Sequence, residues 1–396
     1  MTFLPVVARE LYAAARHQNT YRTRVGVSIV GLVVLAGLAI LASETQSAEQ
    51  GRLLFGIIST LAFVYCLFAG VATTADCLSE EKREGTLGLL FLTDLKGYDV
   101  VLGKLAVSSL KSFYGLLAIV PVLSLAMLLG GVTASELARV VAVLLNTLFF
   151  SLASGVLVST LSRNERKAMF ATAMFILVVV AGPFCVVDPS LISPRRLLAG
   201  QQMFLLAPSP VFAIWMAMLP SVTPQLLGPP EFWRSLLSTH LLGWVLLILA
   251  SAVLPRVWSD RPRSGRRLRW WEQWQRWIYG GQAVRKAVRG RLLDQNPILW
   301  LAGRDRFKLK QVWIFLGALT LLWIPAWFVS FDTVITAAAF LLFCAQGVLK
   351  IWVVSEVCSR WVEDRRSGAL ELLLSSPLSV PDIAHGQKLA LRAQFG

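Results

Sequence analysis

The chain is dominated by long, uninterrupted runs of apolar side chains. Val25–Ala42, Leu53–Ala75 and Ala168–Val187 are each close to the ~20 residues that an α-helix needs to cross the hydrocarbon core of a bilayer. Of the 396 residues, 56% are hydrophobic and only 15% are charged, whereas roughly a quarter of the residues in a soluble domain are charged. A soluble protein with very apolar core helices does not explain runs of this length. The sequence therefore predicts an all-α, polytopic transmembrane helical bundle.

Eight spans are predicted, at residues 25–42, 53–75, 105–130, 137–161, 168–187, 235–254, 312–329 and 334–355. The loops between them alternate in charge. Arg and Lys are concentrated in 1–24, in 162–167 and after 255, and are scarce in 44–52, 131–136 and 330–332. Because loops rich in Arg and Lys stay in the cytoplasm, this pattern predicts a multi-pass protein of the cell inner membrane with a cytoplasmic N-terminus.

The formal net charge of +15 has two interpretations, nucleic-acid binding or basic cytoplasmic loops. Residues 256–295 form a basic linker in which four tryptophans fall along one helical face, namely Trp270, Trp271, Trp274 and Trp277. That pattern is typical of a helix lying on a membrane surface. Basic residues interleaved with aromatics can also bind single-stranded nucleic acid. Since spans on both sides hold the linker against lipid, we expect membrane lipids as its partner and no nucleic acid.

A 24-residue stretch occurs twice, at 80–103 and 363–386. Identical residues pair at a constant offset: Glu80 with Glu363, Arg83 with Arg366, Gly85 with Gly368, Leu87 with Leu370, Leu89 with Leu372, Leu90 with Leu373, Leu95 with Leu378, Asp99 with Asp382 and Gly103 with Gly386. Each copy follows a pair of long apolar runs, and the alternation of loops places both in the cytoplasm. A repeat of position as well as sequence indicates a membrane protein built from two related halves.

Each copy combines a charged cluster, a glycine, a leucine-rich stretch and a polar bend. One interpretation is an interfacial hairpin that only joins two helices. That accounts for one copy, but loops that merely connect need only length and polarity, so it does not explain two matched copies. An apolar patch rimmed by charges suits docking to a partner, and docking is the function that the repeat favours.

The repeated residues resemble the pattern that follows the second span in type-2 ABC exporter permeases. The pattern reads E-x-(K/R)-x-x-G-(T/A)-L-x-L-L, and Gly368–Ser379 matches it more closely than the first copy. The first copy has Gly88 where the family usually has Glu, and Asp94 where it has Pro. The resemblance covers the two copies, the amphipathic lead-ins at 4–18 and 296–308, and the six-span layout.

This resemblance implies coupling segments that contact a separate ABC ATPase subunit, expected in two copies, which would bind ATP and Mg while this chain carries no cofactor. The residues it assigns to coupling are Glu80, Glu81, Arg83, Gly85, Thr86, Leu87 and Leu90 in the first copy and Glu363, Asp364, Arg366, Gly368, Leu370, Glu371 and Leu373 in the second. The acids would pair with the ATPase, the glycines would allow a turn and the leucines would fill a groove. No particular substrate is implied.

The predicted organisation is a six-span permease half at 1–255, the linker at 256–295 and a partial second half at 296–396. Either the sequence is truncated or the second half is incomplete in nature, and in the latter case a second permease copy is an expected partner. Between the fifth and sixth spans, the short apolar stretch Pro210–Leu219 is expected to lie in the interface or to re-enter.

Enzyme chemistry is not indicated by the motifs present. The sequence has no GxxxxGK[ST] loop, and its three histidines, His17, His240 and His385, are far apart without an HExxH motif. The chain is therefore expected to be a transport subunit and not an enzyme; the alternative is a non-transporting membrane anchor or assembly scaffold. Within the spans, Asn146 is deep in the fourth and is expected to make an interhelical hydrogen bond, with a substrate contact as the alternative.

Overall fold

The structure of the chain is a computed structural model, and it describes residues 47–92, 96–162, 165–186, 206–218, 230–257, 297–303 and 368–395, with isolated residues between 290 and 365. The predicted span 25–42 and the lead-in at 4–18 lie outside these residues. The predicted spans 312–329 and 334–355 and the linker 256–295 lie largely outside them.

Every element in the described part of the chain is an α-helix. The helices are α1 (Ser47–Thr73), α2 (Cys77–Glu84), α3 (Thr86–Leu92), α4 (Gly97–Leu128), α5 (Ala134–Leu161), α6 (Glu165–Val186), α7 (Pro210–Met218), α8 (Pro230–Val257), α9 (Pro297–Gly303), α10 (Ala369–Leu374) and α11 (Val380–Phe395). The prediction of an all-α fold is confirmed for these residues.

Four helices among the described residues are long and apolar enough to cross a membrane: α1 continued through α2, α4, α5 and α8. They coincide with the predicted spans 53–75, 105–130, 137–161 and 235–254. The predicted span 168–187 coincides with α6, whose apolar stretch, Lys167–Val180, is shorter than the other four. The described helices thus support a membrane protein with four candidate spans, and the total of eight stays a prediction.

Helix α5 lies at the centre of the bundle, where it contacts α1, α2, α4, α6, α7 and α8. In its most apolar stretch 72% of the residues are buried, against 28% in α8. Small residues make this packing possible, since a Cβ on Gly70 of α1 would lie 2.0 Å from the Ser151 carbonyl oxygen of α5. Glycine at such a contact lets two membrane helices approach backbone to backbone.

The α1–α2 pair runs parallel to α5. The backbone N–H of Gly70 donates to Ser151 Oγ at 2.8 Å, and eight residues further along, the N–H of Leu78 donates to Ser159 Oγ at 2.9 Å. Since the partners advance in the same direction on both sides, the second and fourth predicted spans cross the bundle in the same sense. In a chain that crosses a membrane repeatedly, every second span runs in the same direction, as these two do.

Helix α4 runs antiparallel to α1. A Cβ on Gly51, near the start of α1, would lie 3.1 Å from the carbonyl oxygen of Ala126, near the end of α4. Further along α1, Tyr65 Oη donates to the Ser112 carbonyl oxygen at 3.1 Å. The hairpin of α1 and α4 therefore reverses direction between Glu84 and Gly97, where the first copy of the repeat lies.

The end of α8 lies beside the start of α4, because a Cβ on Gly97 would lie 2.6 Å from the Ser251 carbonyl oxygen. The first repeat, the start of α4 and the ends of α5 and α8 are thus gathered at one end of the bundle. The stretch Pro210–Leu219, predicted to lie in the interface or to re-enter, forms α7, which buries Phe212 and Met216 and contacts α5, α6 and α8.

The chain divides into two compact units, Met1–Asp260 and Arg261–Gly396. The first contains the bundle of α1 to α8. In the second, α9 packs against α11, and Ile298, Leu299 and Ile383 are buried. The predicted domain boundaries at 255 and 295 stay predictions, since residues 258–289 lie outside the described residues.

Candidate functional site

The first copy of the repeat turns at Gly85, between α2 and α3. This glycine has φ 72° and ψ 3°, in the left-handed region. A Cβ at this position would meet no atom within 4 Å, so the backbone conformation and not lack of space requires glycine. Any other L-residue except Asn or Asp is strained there, at a cost of roughly 1–2 kcal/mol.

The second copy adopts the same local structure. Gly368 has φ 70° and ψ 3°, and α10 begins at the next residue, Ala369, as α3 begins at Thr86. The long helices that follow also begin at equivalent residues, Gly97 and Val380. The repeat found in the sequence is therefore a repeat of structure, with a left-handed glycine, a short helix, a bend and a long helix in each copy.

The paired aspartates cap the long helices in the same way. Asp99 Oδ2 accepts a hydrogen bond from the backbone N–H of Lys96 at 3.1 Å, and Asp382 Oδ2 accepts from that of Ser379 at 3.3 Å. Each carboxylate occupies the third position of its helix, where it compensates amides that have no intrahelical acceptor. The bend before each long helix is thereby set by its own residues.

An acidic side chain before each glycine bonds to the second turn of the following long helix. Lys104 Nζ lies 2.6 Å from Glu81 Oε1, and both side chains are largely buried. At the same offset in the second copy, Gln387 Nε2 donates to Asp364 Oδ2 at 3.3 Å. We call each of these pairs a clasp. A clasp closes the loop through the short helix, so the segment is held as one piece.

The remaining charged residues of the first copy differ in their partners. Arg83, in the last turn of α2, donates two hydrogen bonds of 2.7 Å each to the carboxylate of Asp76, the residue that precedes α2, in a bidentate ion pair. Thr86 Oγ1 donates to the carboxylate of Glu81, which joins it to the clasp. Glu80 is exposed to solvent. Of the predicted acids in this copy, Glu80 is thus the one presented outward.

The leucines of the two short helices are not equally exposed. Leu87 is 2% exposed and belongs to the hydrophobic core, which corrects the expectation that it forms part of an exposed patch. It is buried because the turn at Gly85 folds α3 back against the bundle. Leu92 of the same helix is 81% exposed. The side chain of Leu90 lies outside the described residues.

The second short helix, α10, buries none of its residues. Leu370 and Leu373 are half-buried, Leu372 is 73% exposed and Glu371 is exposed. Glu363 and Arg366, which are also predicted coupling residues, lie outside the described residues. An exposed apolar helix beside an acidic residue has the character expected of a contact surface.

Asn146 connects α5 to α8 away from the repeat. Its amide Nδ2 donates to the Leu236 carbonyl oxygen at 2.9 Å and also to Thr239 Oγ1, while its Oδ1 lies 3.0 Å from His240 Nδ1. Trp244 Nε1 donates to His240 Nε2 at 3.0 Å. Because an indole N–H can only donate, His240 Nε2 accepts and Nδ1 carries the proton. The polar group is satisfied within the helix pair.

Several residues of this site were missed by the sequence interpretation. Lys104 and Gln387 complete the clasps, and Asp76 pairs with Arg83. The repeat offset does place Lys104 opposite Gln387, and that alignment could have drawn attention to the position. Among the described residues, no group of three or more His, Cys, Asp or Glu side chains could hold a metal ion.

Comparison with known proteins identifies no relative of this chain, since no family model and no curated protein matches it.

Proposed function

We propose that this chain is the membrane-spanning permease subunit of an ABC exporter, similar to the type-2 permeases, with ATP hydrolysed by a separate subunit. The observation that supports this most directly is the agreement in backbone and capping between the two repeats. Both have the left-handed glycine, the aspartate cap and the clasp at matching residues. A loop that only connects two helices has no need of these three features in duplicate.

The connection of each short helix to the following long helix is suited to transmit movement from a partner to the membrane bundle. The short helices α3 and α10 each follow a sharp turn, and each clasp ties the segment to the next long helix. A partner that moves a short helix would therefore move the long helix with it. Two ATPase subunits, with ATP and Mg bound between them, would act on the two segments and tilt the helix bundles. ATP shifts this equilibrium only by its differential affinity for the two states.

The chain would lie in the cell inner membrane with its N-terminus and both repeats in the cytoplasm, because Arg and Lys are concentrated in the loops on that side. The charged residues of α2 need contact with water, which supports a position of this end of the bundle at a membrane surface.

The first experiment is affinity purification of the tagged chain from its native membranes in mild detergent, with mass spectrometry of the retained proteins. We expect an ATPase with a phosphate-binding loop, in about two copies per permease. A second experiment measures ATP-dependent export by the double variant Gly85→Pro with Gly368→Pro. This variant should lose export. Retention of partners without any ATPase would favour the alternative, a non-transporting anchor or scaffold.

A further inference from the structure

At the joint between α1 and α2, the long apolar helix ends and the helix that carries the start of the first repeat begins. The helix is interrupted at Thr74–Asp76, and a new helix starts at Cys77. Asp76 occupies the capping position but makes no side-chain cap, because its carboxylate is held by Arg83 at the other end of α2. The first amides of α2 need an acceptor from elsewhere.

That acceptor is the hydroxyl of Ser159, which belongs to α5. The backbone N–H groups of Leu78 and Ser79 donate to Ser159 Oγ at 2.9 Å and 3.0 Å. Ser159, Leu78 and Ser79 are all fully buried. A hydroxyl oxygen can accept two hydrogen bonds, so one side chain satisfies both amides. The cap that a helix normally supplies from its own sequence comes here from a residue 80 positions away along the chain.

Neighbouring contacts hold the same two surfaces together. Thr74 Oγ1 donates to the Leu152 carbonyl oxygen at 3.0 Å, and Lys82 Nζ donates to the Thr160 carbonyl oxygen. A Cβ on Gly155 would lie 2.0 Å from Thr74 Oγ1. Contacts thus occur at every turn, from the interruption to the last turn of α2.

We propose that Ser159 is a positioning residue that caps α2 from the central helix and so holds the first repeat to the end of α5. A displacement of α3 then reaches α5 through α2, which contacts both helices, and through α5 it reaches the helices packed around it. The statement about α5 as the receiver of the movement rests on the proposed function. The cap itself does not, and the two are tested separately.

The test compares Ser159→Ala with Ser154→Ala in the chain of 396 residues. Ser154 lies on the same helix, is also fully buried, and its hydroxyl donates to the Phe150 carbonyl oxygen within α5. The two variants therefore lose the same atom, but Ser159→Ala loses the hydrogen bonds from two amides and the contact with the Ser79 hydroxyl, all with another helix. Ser154→Ala loses one hydrogen bond within its own helix.

Amide hydrogen exchange of the peptide covering residues 77–84 is the readout. Ser159→Ala should raise the exchange of the Leu78 and Ser79 amides by about 3- to 10-fold, as expected when each amide loses one hydrogen bond, while Ser154→Ala leaves their exchange unchanged. Equal effects of the two variants, or no effect of Ser159→Ala, would overturn the cap. If Ser159→Ala does not fold, Ser159→Cys replaces the oxygen by a weak acceptor for the same measurement.

A second readout tests whether Ser159 positions α2 for coupling, and not only whether it stabilises the helix. In membranes that contain the copurifying ATPase, Ser159→Ala should lower the amount of substrate transported per ATP hydrolysed, with hydrolysis retained and Ser154→Ala as the control. Unchanged coupling together with faster exchange would refute α5 as the receiver of the movement. The exchange measurement needs no partner and therefore tests the cap even if no ATPase copurifies. Absence of an ATPase would contradict the proposed function alone.

Discussion

At the scale of single residues, the two repeats agree in backbone and differ in burial. Gly85 and Gly368 share nearly the same dihedral angles, and a left-handed backbone conformation is a property that only a few side chains tolerate. Leu87 is buried against the bundle, whereas its counterpart Leu370 is half-buried. The glycine thus determines the shape of each segment, and the neighbouring residues determine what it touches.

Replacing Gly85 by valine or by asparagine tests the backbone requirement with two side chains at one position. Valine should destabilise the protein by about 1–2 kcal/mol, because its branched Cβ is unfavourable at positive φ. Asparagine tolerates this region and should cost less. The midpoint of thermal unfolding in detergent should therefore be lower for Gly85→Val than for Gly85→Asn. Equal midpoints would argue against a left-handed conformation at this position.

At the scale of elements, the clasps join helices that a short segment separates. Glu81 belongs to α2 and Lys104 to the second turn of α4, and Asp364 and Gln387 stand in the same relation in the second copy. The first pair is ionic and the second joins an acid to a neutral amide. Hydrogen bonds to charged groups are worth about 1.5–3 kcal/mol when partly buried, so both pairs stabilise the segment and the ionic pair more strongly.

Two substitutions of Lys104 measure this contribution. Lys104→Met keeps much of the side-chain length but removes the donor, which leaves Glu81 with less compensation in a largely buried place. Lys104→Gln instead reproduces the residue of the second copy and keeps a donor. We expect faster amide exchange in α3 for Lys104→Met, by on the order of tenfold, and a smaller effect for Lys104→Gln. A larger effect of the glutamine variant would contradict the equivalence of the two clasps.

At the scale of the whole molecule, α5 organises the bundle of the first unit. Helices α1, α4 and α8 pack around it, and the contacts of α1 with α4 and α5 give opposite directions for α4 and α5. The alternation of charged loops predicts the same relation. If α4 crosses the membrane, this alternation predicts that the first repeat and the loop at 130–133 lie on opposite sides.

Two variants, each with one cysteine introduced near an end of α4, test this arrangement. Leu92 and Leu128 are each 81% exposed and lie just before α4 and at its last residue. In cells, a membrane-impermeant maleimide should label Leu128→Cys from outside, and should label Leu92→Cys only after the membrane is permeabilised. The unsubstituted chain provides the background from its native cysteines. Labelling of both variants from the same side would refute α4 as a membrane span.

The sequence by itself determined the all-α class, the position of four long apolar helices and the existence of two matching turns. These properties depend on local information: the length of an apolar run, the periodicity of charged loops, and glycine where the backbone is left-handed. The repeat was visible because both copies keep their residues at one offset, and for the same reason Gly85, Asp99 and their partners could be singled out from the sequence.

Only the tertiary structure decided what these residues touch. That Leu87 is buried, that Glu81 meets Lys104 and that Ser159 caps α2 depend on which distant parts of the chain pack together. An interhelical polar contact is set by the rotation and register of two helices, and neither is encoded in local composition. The sequence therefore predicts the segment that turns, and the packing of α5 determines what holds it in place.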